Sequence, residues 1–322
     1  MNAYIEIESL RSLIRHRNDE RYAECLRMLK RNLDIYFSFS KSEALSDPAI
    51  QSWIMGLTAG AIAKKPAWDC AYPDPENELT LDCINNIDQL CAVYLLDDQE
   101  PQCMSKAILV SCCGGELDTL SKLYVTAEDQ EFEFETTAAS IGNWRNLGAY
   151  TTPCTDILIS DRYILNRKSL LGKNLYSIIN TLVQETSNLP INIVIMVERN
   201  AIDANIDLEN VSETIKENVE DIVGVEPKVT FALCSKQPKK VLFHDRLILT
   251  NYRAITSGDS FNYFNEQGKV KTGGFGITIS SLAKRCDYVQ DRVIDTYCTQ
   301  LQNELSSAII QGDRKSNFLK FS

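Results

Sequence analysis

From Asp156 to Ile279 the chain alternates between short apolar runs rich in Val and Ile and stretches of helical periodicity. No other feature restricts the possible folds as much. A short β-branched run packs as a strand, whereas apolar residues three and four apart line one face of a helix. Asp156-Ile-Leu-Ile-Ser160, Ile191-Asn-Ile-Val-Ile-Met-Val197, Lys228-Val-Thr-Phe-Ala-Leu233 and Val241–Thr250 read as strands. Lys173–Glu185, with Leu175, Ile178, Ile179 and Leu182, and the acidic stretch Val211–Val223 read as helices. Gly268–Ile279 reads as a turn into a further strand. Asp291–Ile310 closes the pattern as an amphipathic helix with Val293, Tyr297, Leu301, Leu305 and Ile309 on one stripe. Strands alternating with helices predict an α/β fold with a mainly parallel sheet covered on both faces.

The pattern before this region is different. Ile7–Phe39 reads as helix, since Leu10, Leu13, Ile14, Leu26, Leu29 and Leu33 recur at helical spacing. Pro48–Ala63 reads as a second helix with Ile50, Trp53, Ile54 and Leu57 on one face and Asp47-Pro48 as its start. Leu79–Leu96 and Glu116–Tyr124 read as helices, Ala107–Ser111 and Glu131–Thr137 as strands. Thr151-Thr-Pro-Cys-Thr155 is the best boundary, giving a mainly helical α+β N-terminal region over 1–150 and an α/β domain over 151–322.

Composition excludes several classes. No apolar run approaches the ~20 residues that span a bilayer, and Met-Asn-Ala-Tyr-Ile-Glu-Ile-Glu has neither a basic nor an apolar signal region. A cytoplasmic location follows as the expectation. Net charge is −11, which disfavours broad, nonspecific nucleic-acid binding because that needs a cationic surface. The 11 cysteines are scattered, with no C-x-x-C, and read as small core residues in a reducing compartment. No metal site and no cofactor are expected. Gly273-Gly274-Phe-Gly276 matches no phosphate-loop pattern. Asp97-Asp98, and Asp156 with Asp161, read as solvated caps in preference to a cation site.

The chain has only 2 histidines. His16, between Arg15 and Arg17, falls on the solvated face of the first predicted helix. His244 ends the apolar run Val241-Leu-Phe, with Arg246 two residues on and Asn251 seven on. Residues two apart on a strand share a face, so His244 and Arg246 can meet one ligand while Asp245 points away. Gly258-Asp-Ser260-Phe-Asn262 follows as a turn. A weak internal repeat accompanies this segment: Ile157-Leu-Ile-Ser-Asp161-Arg162-Tyr-Ile-Leu165 parallels Val241-Leu-Phe-His-Asp245-Arg246-Leu-Ile-Leu249, with Ser160 where the second copy has His244. A lone strand-end histidine is also a common structural residue, and that reading stands beside the functional one.

The spacing H-x-R-x4-N followed by G-x-S-x-N resembles the H-x-K-x4-D and G-S-x-N signature of the phospholipase D superfamily, with two substitutions. The succession His-Asp-Arg, Thr-Asn, Gly, Phe-Asn-Tyr-Phe is similar, more closely, to the phospholipase-D-like domain at the C-terminus of MIT-domain-containing proteins. The resemblance implies a phospholipase-D-like mixed sheet flanked by helices. It makes His244 the nucleophile and Arg246 the phosphate-binding cation, with Ser260 and Asn262 as donors of the turn. It puts Asn251 in place of the acid that orients a histidine. Asp161 and Arg162 join Asn251 and Ser260 as candidate ligand-binding residues through the internal repeat. The family mechanism needs two histidines in one pocket, so an active form implies two chains each donating His244. The relatives with MIT domains imply instead a module without turnover. Three functions follow as expectations. The first is a phosphate-recognition or assembly module, in the setting of a bacterial anti-phage defence system. The second is a homodimeric phosphodiesterase or nuclease. The third is a non-catalytic protein-interaction scaffold. The corresponding partners are a second copy or another protein of the same system, and nucleic acid or a phosphorylated ligand.

Overall fold

The computed structural model describes residues 2–58, 65–69, 92–97, 109–112, 130–132, 144–152, 154–183, 190–235, 246–270, 277–282 and 293–321. The chain divides into two compact units, Met1–Glu128 with Ala283–Asp287, and Asp129–Leu282 with Tyr288–Ser322.

In the first unit, strands β1 (Asn2–Ile5), β2 (Asp34–Phe37), β3 (Ala92–Leu96) and β4 (Leu109–Cys112) form a parallel sheet of order β2-β1-β3-β4. Helices α1 (Ile7–Arg15), α2 (Glu20–Asn32), α3 (Lys41–Ser46) and α4 (Pro48–Thr58) accompany it. The expected apolar stripe is present, with Leu10, Leu13, Ile14, Leu26, Leu29 and Leu33 all buried. The single helix expected over Ile7–Phe39 is not. His16 closes α1, Asp19 caps α2 by accepting from Arg21 N at 3.0 Å, and Leu33 turns extended and leads into β2. Local capping and a β-branched, aromatic run at the end override the helical period. Asp47 does cap α4, accepting from Ala49 N at 2.9 Å and Ile50 N at 3.3 Å. Ala92–Leu96, expected at the end of a helix, is a fully buried strand; residues 79–91 and the expected helix Glu116–Tyr124 lie outside the described residues.

The second unit contains β5 (Gln130–Phe132), β6 (Asp156–Ser160), α5 (Leu175–Leu182), β7 (Asn192–Glu198), α6 (Leu208–Val223), β8 (Lys228–Cys234), β9 (Arg246–Thr250), β10 (Arg253–Ser257), β11 (Ile277–Ser281), α7 (Val293–Leu305) and β12 (Ile309–Gly312). They build an 8-stranded mixed sheet of order β12-β8-β7-β6-β9-β10-β11-β5, flanked by helices. Only β6–β7 and β7–β8 pair in parallel; the pairs β6–β9, β9–β10, β10–β11, β11–β5 and β12–β8 are antiparallel. The mainly parallel sheet expected from the strand–helix alternation is therefore corrected to a mixed one. Asn251-Tyr252 joins β9 to β10 as a two-residue turn, and so short a connection permits only antiparallel pairing. Helix α7 stops at Leu305, and Ile309, expected on its apolar stripe, is 44% exposed on β12.

The core lies where the sequence is most apolar. Ile157 and Ile159 of β6 and Ile193, Ile195 and Val197 of β7 are buried almost completely and share one cluster with Leu175, Ile178, Ile179, Val211, Ile215 and Val219 of α5 and α6. Each such aliphatic side chain contributes about 1.5–3 kcal/mol relative to exposure. Residues ahead of Thr151 belong to this unit as well. β5 pairs with β11, and the buried Trp144 packs edge-on against Phe261, Tyr263 and Phe264 at centroid distances of 6.0, 5.8 and 5.7 Å.

Candidate functional site

Strand register brings the candidate residues to one end of the second sheet. Ser160 at the end of β6 faces Leu247 near the start of β9, and Arg246 faces Ser257 at the end of β10. The turn Gly258–Asn262 that leaves β10 therefore meets the loop Asp161–Asn166 that leaves β6.

Asp161 is the centre of that meeting. It is fully buried, and its carboxylate accepts from Ser260 Oγ at 2.8 Å, Phe261 N at 2.7 Å and Tyr163 N at 2.8 Å. Burial pushes this carboxyl above its usual range, while those donors and the nearby Arg246 guanidinium pull it back in part. Asn262 fastens the next contact along. Its Nδ2 donates to Tyr163 O at 2.5 Å and to Asn166 Oδ1 at 3.1 Å. A backbone carbonyl only accepts, so the amide orientation is set. Its Oδ1 is buried without a hydrogen-bond partner among the described residues. Ser257 Oγ and Tyr263 OH share a hydrogen bond of 2.9 Å, and Asp259 N donates to Ser257 Oγ at 3.2 Å. Below the turn, the buried Asn174 accepts from Phe264 N at 2.9 Å and Trp144 Nε1 at 3.3 Å and donates to Phe264 O at 2.9 Å. The Phe-Asn-Tyr-Phe run thus anchors the turn in the core by its rings and leaves its polar groups at the sheet end.

Arg246 is half-buried and donates from one terminal nitrogen to Gly258 O at 2.9 Å. Arg162 pairs with the buried Glu198 at the end of β7, and its guanidinium lies 4.9 Å from the Tyr163 ring centroid. His244 and Asp245, which directly precede Arg246 in the chain, lie outside the described residues, as does Gly273–Gly276.

Asn251 is elsewhere. It is buried at the far end of β9, about 17 Å of extended chain from Arg246, and its Oδ1 accepts from Thr155 N and Asp156 N at 3.0 Å each. It is a strand cap and not part of a site with Arg246. His16 belongs to the first unit, where its Nδ1 is 2.9 Å from Ser12 O and its ring 5.0 Å from that of Tyr22. Asp156 and Asp161 stand at opposite ends of β6 and are buried, not the solvated caps expected. Asp97 does serve as a cap, accepting from Ser9 N at 2.6 Å and Glu8 N at 3.2 Å at the start of α1. No group of three or more His, Cys, Asp or Glu residues able to hold a metal ion occurs among the described residues. No helix among them is long and apolar enough to cross a membrane.

Of the residues picked out from the sequence, the structure brings Arg246, Ser260, Asn262, Asp161 and Arg162 to this end and places Asn251 at the other. Sequence reasoning missed Tyr163, Asn166, Glu198, Ser257 and Tyr263. The repeat of Asp-Arg after two apolar strands was the available signal for the loop that carries Tyr163 and Asn166. Ser257 and Glu198 carry no such signal, because only strand register brings them in. In comparisons with known proteins, the chain matches no protein-family model, and no curated protein matches it.

Proposed function

We propose that this chain is a phosphate-recognition or assembly module built on a degenerate phospholipase-D-like α/β domain, and that it binds its ligand without turnover. One observation carries the reading: Arg246, Ser260, Asn262 and Asp161, up to 101 positions apart in the chain, converge on the single sheet end where β6 and β10 finish and β9 begins. A guanidinium beside a hydroxyl and backbone N–H groups is chemistry suited to a phosphate oxygen. Two features argue against turnover. Phosphoryl transfer of this type uses a pair of histidines, and the other histidine of the chain, His16, carries none of the motif residues around it, so one chain offers only His244 for the pair. The amide of Asn251 is committed to the Thr155 and Asp156 backbone, at the opposite end of β9 from Arg246. The setting of a bacterial defence system, with a second copy or another protein of that system as partner, belongs to the same proposal.

The test measures mass by light scattering, turnover of a nitrophenyl phosphodiester and of single- and double-stranded DNA and RNA, and binding of pyrophosphate and short oligonucleotides. Wild type, His244→Ala and Arg246→Met are compared. The expected result is a folded protein with no turnover, whose binding falls at least about tenfold, or about 1.4 kcal/mol, in Arg246→Met. Turnover by a dimer that vanishes in His244→Ala replaces this reading with the phosphodiesterase one. Binding unchanged in Arg246→Met removes the phosphate site altogether.

A further inference from the structure

The Asp161 carboxylate is held by a hydroxyl, Ser260 Oγ at 2.8 Å, and by two backbone N–H groups, Phe261 at 2.7 Å and Tyr163 at 2.8 Å. The Arg246 guanidinium is fastened to the same turn, donating to Gly258 O at 2.9 Å. Hydroxyl, converging main-chain N–H groups and a guanidinium are the donors that cradle a phosphate or other oxyanion. Here the anion in the cradle is the chain's own.

We infer that Asp161 is a built-in plug: its carboxylate occupies the oxyanion cradle of Tyr163, Arg246, Ser260 and Phe261, and a phosphate gains the cradle only by displacing it. The inference rests on the phosphate-recognition reading above and adds regulation to it. Four observations support it. Asp161 is fully buried, so its charge is sheltered in the same place a ligand oxygen needs to reach. Two of the cradle's donors, Ser260 Oγ and Phe261 N, come from the Gly258–Asn262 turn, whereas the carboxylate and Tyr163 N come from the loop after β6, so separating loop from turn exposes the two turn donors. Ser260 and Asn262, the donors that a phosphate is expected to use, are both engaged with that loop, Ser260 through Asp161 and Asn262 through Tyr163 O and Asn166 Oδ1. Asn262 Oδ1 is buried without a partner among the described residues, and a buried acceptor left unsatisfied makes the closed arrangement less favourable. The closed arrangement is therefore one that a competing anion can open.

The test uses the full chain with Asp161→Ala, which empties the cradle, Asp161→Asn, which keeps its volume, and Asp161→Glu, which keeps the carboxylate. The probes are inorganic phosphate and formate, with chloride as the ionic-strength control. Thermal unfolding and isothermal titration are the readouts. The expected result is that phosphate and formate stabilise Asp161→Ala and bind it at least about tenfold tighter than wild type. Asp161→Glu behaves as wild type, and adding Arg246→Met to Asp161→Ala removes the gain. An absence of any anion-specific gain in both Asp161→Ala and Asp161→Asn overturns the plug. A gain with formate alone overturns phosphate as the displacing ligand. If Asp161→Ala folds in neither anion, an external anion does not replace the carboxylate, and the plug is likewise overturned. The two readings fail separately. Arg246-dependent binding of pyrophosphate by wild type with no gain in the Asp161 variants sinks the plug alone. A gain in the variants with no Arg246-dependent binding by wild type sinks the recognition role alone.

Discussion

Strand β6 has a buried aspartate at its start and another just past its end, and the two are solved differently. Asp156 is met by neutral donors: Thr155 Oγ1 at 3.0 Å, Asn192 Nδ2 at 3.1 Å, and Asn317 through its backbone N at 2.8 Å and its Nδ2 at 2.7 Å. Asp161 is met by a hydroxyl and two backbone N–H groups with a guanidinium nearby. Both carboxyls are pushed up by burial. The partners at the first end are the Thr155 hydroxyl, side-chain amides and the backbone of Asn317, which the buried Phe318 and Leu319 follow. The partners at the second end are a turn and a loop carrying a cation. The same residue type in the same strand thus fastens the fold at one end and forms a candidate anion cradle at the other. Burial does not separate the two roles, and both carboxylates accept from a hydroxyl and from backbone N–H; the guanidinium near Asp161 is the difference.

The largest effect is expected at the first end. Asp156→Ala leaves the donors of Thr155, Asn192 and Asn317 without their acceptor and releases the C-terminal segment, a loss of about 3 kcal/mol read from urea unfolding. A loss below ~1 kcal/mol breaks the contrast by showing that the segment is held without Asp156. Asn251→Ala comes next. It strands the Thr155 and Asp156 backbone N–H groups and is expected to cost about 2 kcal/mol, while leaving Arg246-dependent phosphate binding at the wild-type level. A tenfold weakening of that binding, about 1.4 kcal/mol, with stability unchanged, would return Asn251 to the site.

The smallest effect sharpens the comparison through pH. A carboxyl raised in the folded state binds more protons folded than unfolded in the window from about pH 4, its ordinary value, up to its raised one. Its contribution to stability is therefore present at the acid side of that window and is lost as pH rises through it. Asp161→Asn removes that titration. Chemical unfolding at stepped pH should show wild type losing stability relative to Asp161→Asn as pH rises above about 4. The opposite slope means that the donors and Arg246 outweigh burial.

Much of the architecture was legible because it rests on local periodicity. Leu10, Leu13, Ile14, Leu26, Leu29 and Leu33 were readable as one buried stripe although the helix they define is broken in two, since a turn capped by Asp19 keeps the stripe on the core side. The strands Asp156–Ser160, Asn192–Glu198 and Lys228–Cys234 were readable from β-branched runs. Five strands escaped, β2 and β3 because their apolar spacing continues a helical pattern. Strand β1 is too short to have a period. β10 is half polar. β12 follows a helix whose apolar spacing continues through Ile309, although the chain has already turned.

The sequence alone determined which segments bury their side chains, because transfer of apolar groups from water depends on residue type and spacing. It also marked Arg246, Ser260 and Asn262, since the motif brackets one strand and one turn. Tertiary structure alone decided the direction of the strands and the partners of the polar residues. A two-residue turn after Thr250 reverses the chain, and that reversal carries Asn251 to one end of the sheet and leaves Arg246 at the other. Hydrogen bonds between residues about a hundred positions apart, such as Ser260 to Asp161, have no local signal, because they depend on strand register, and register is set by the packing of the whole sheet.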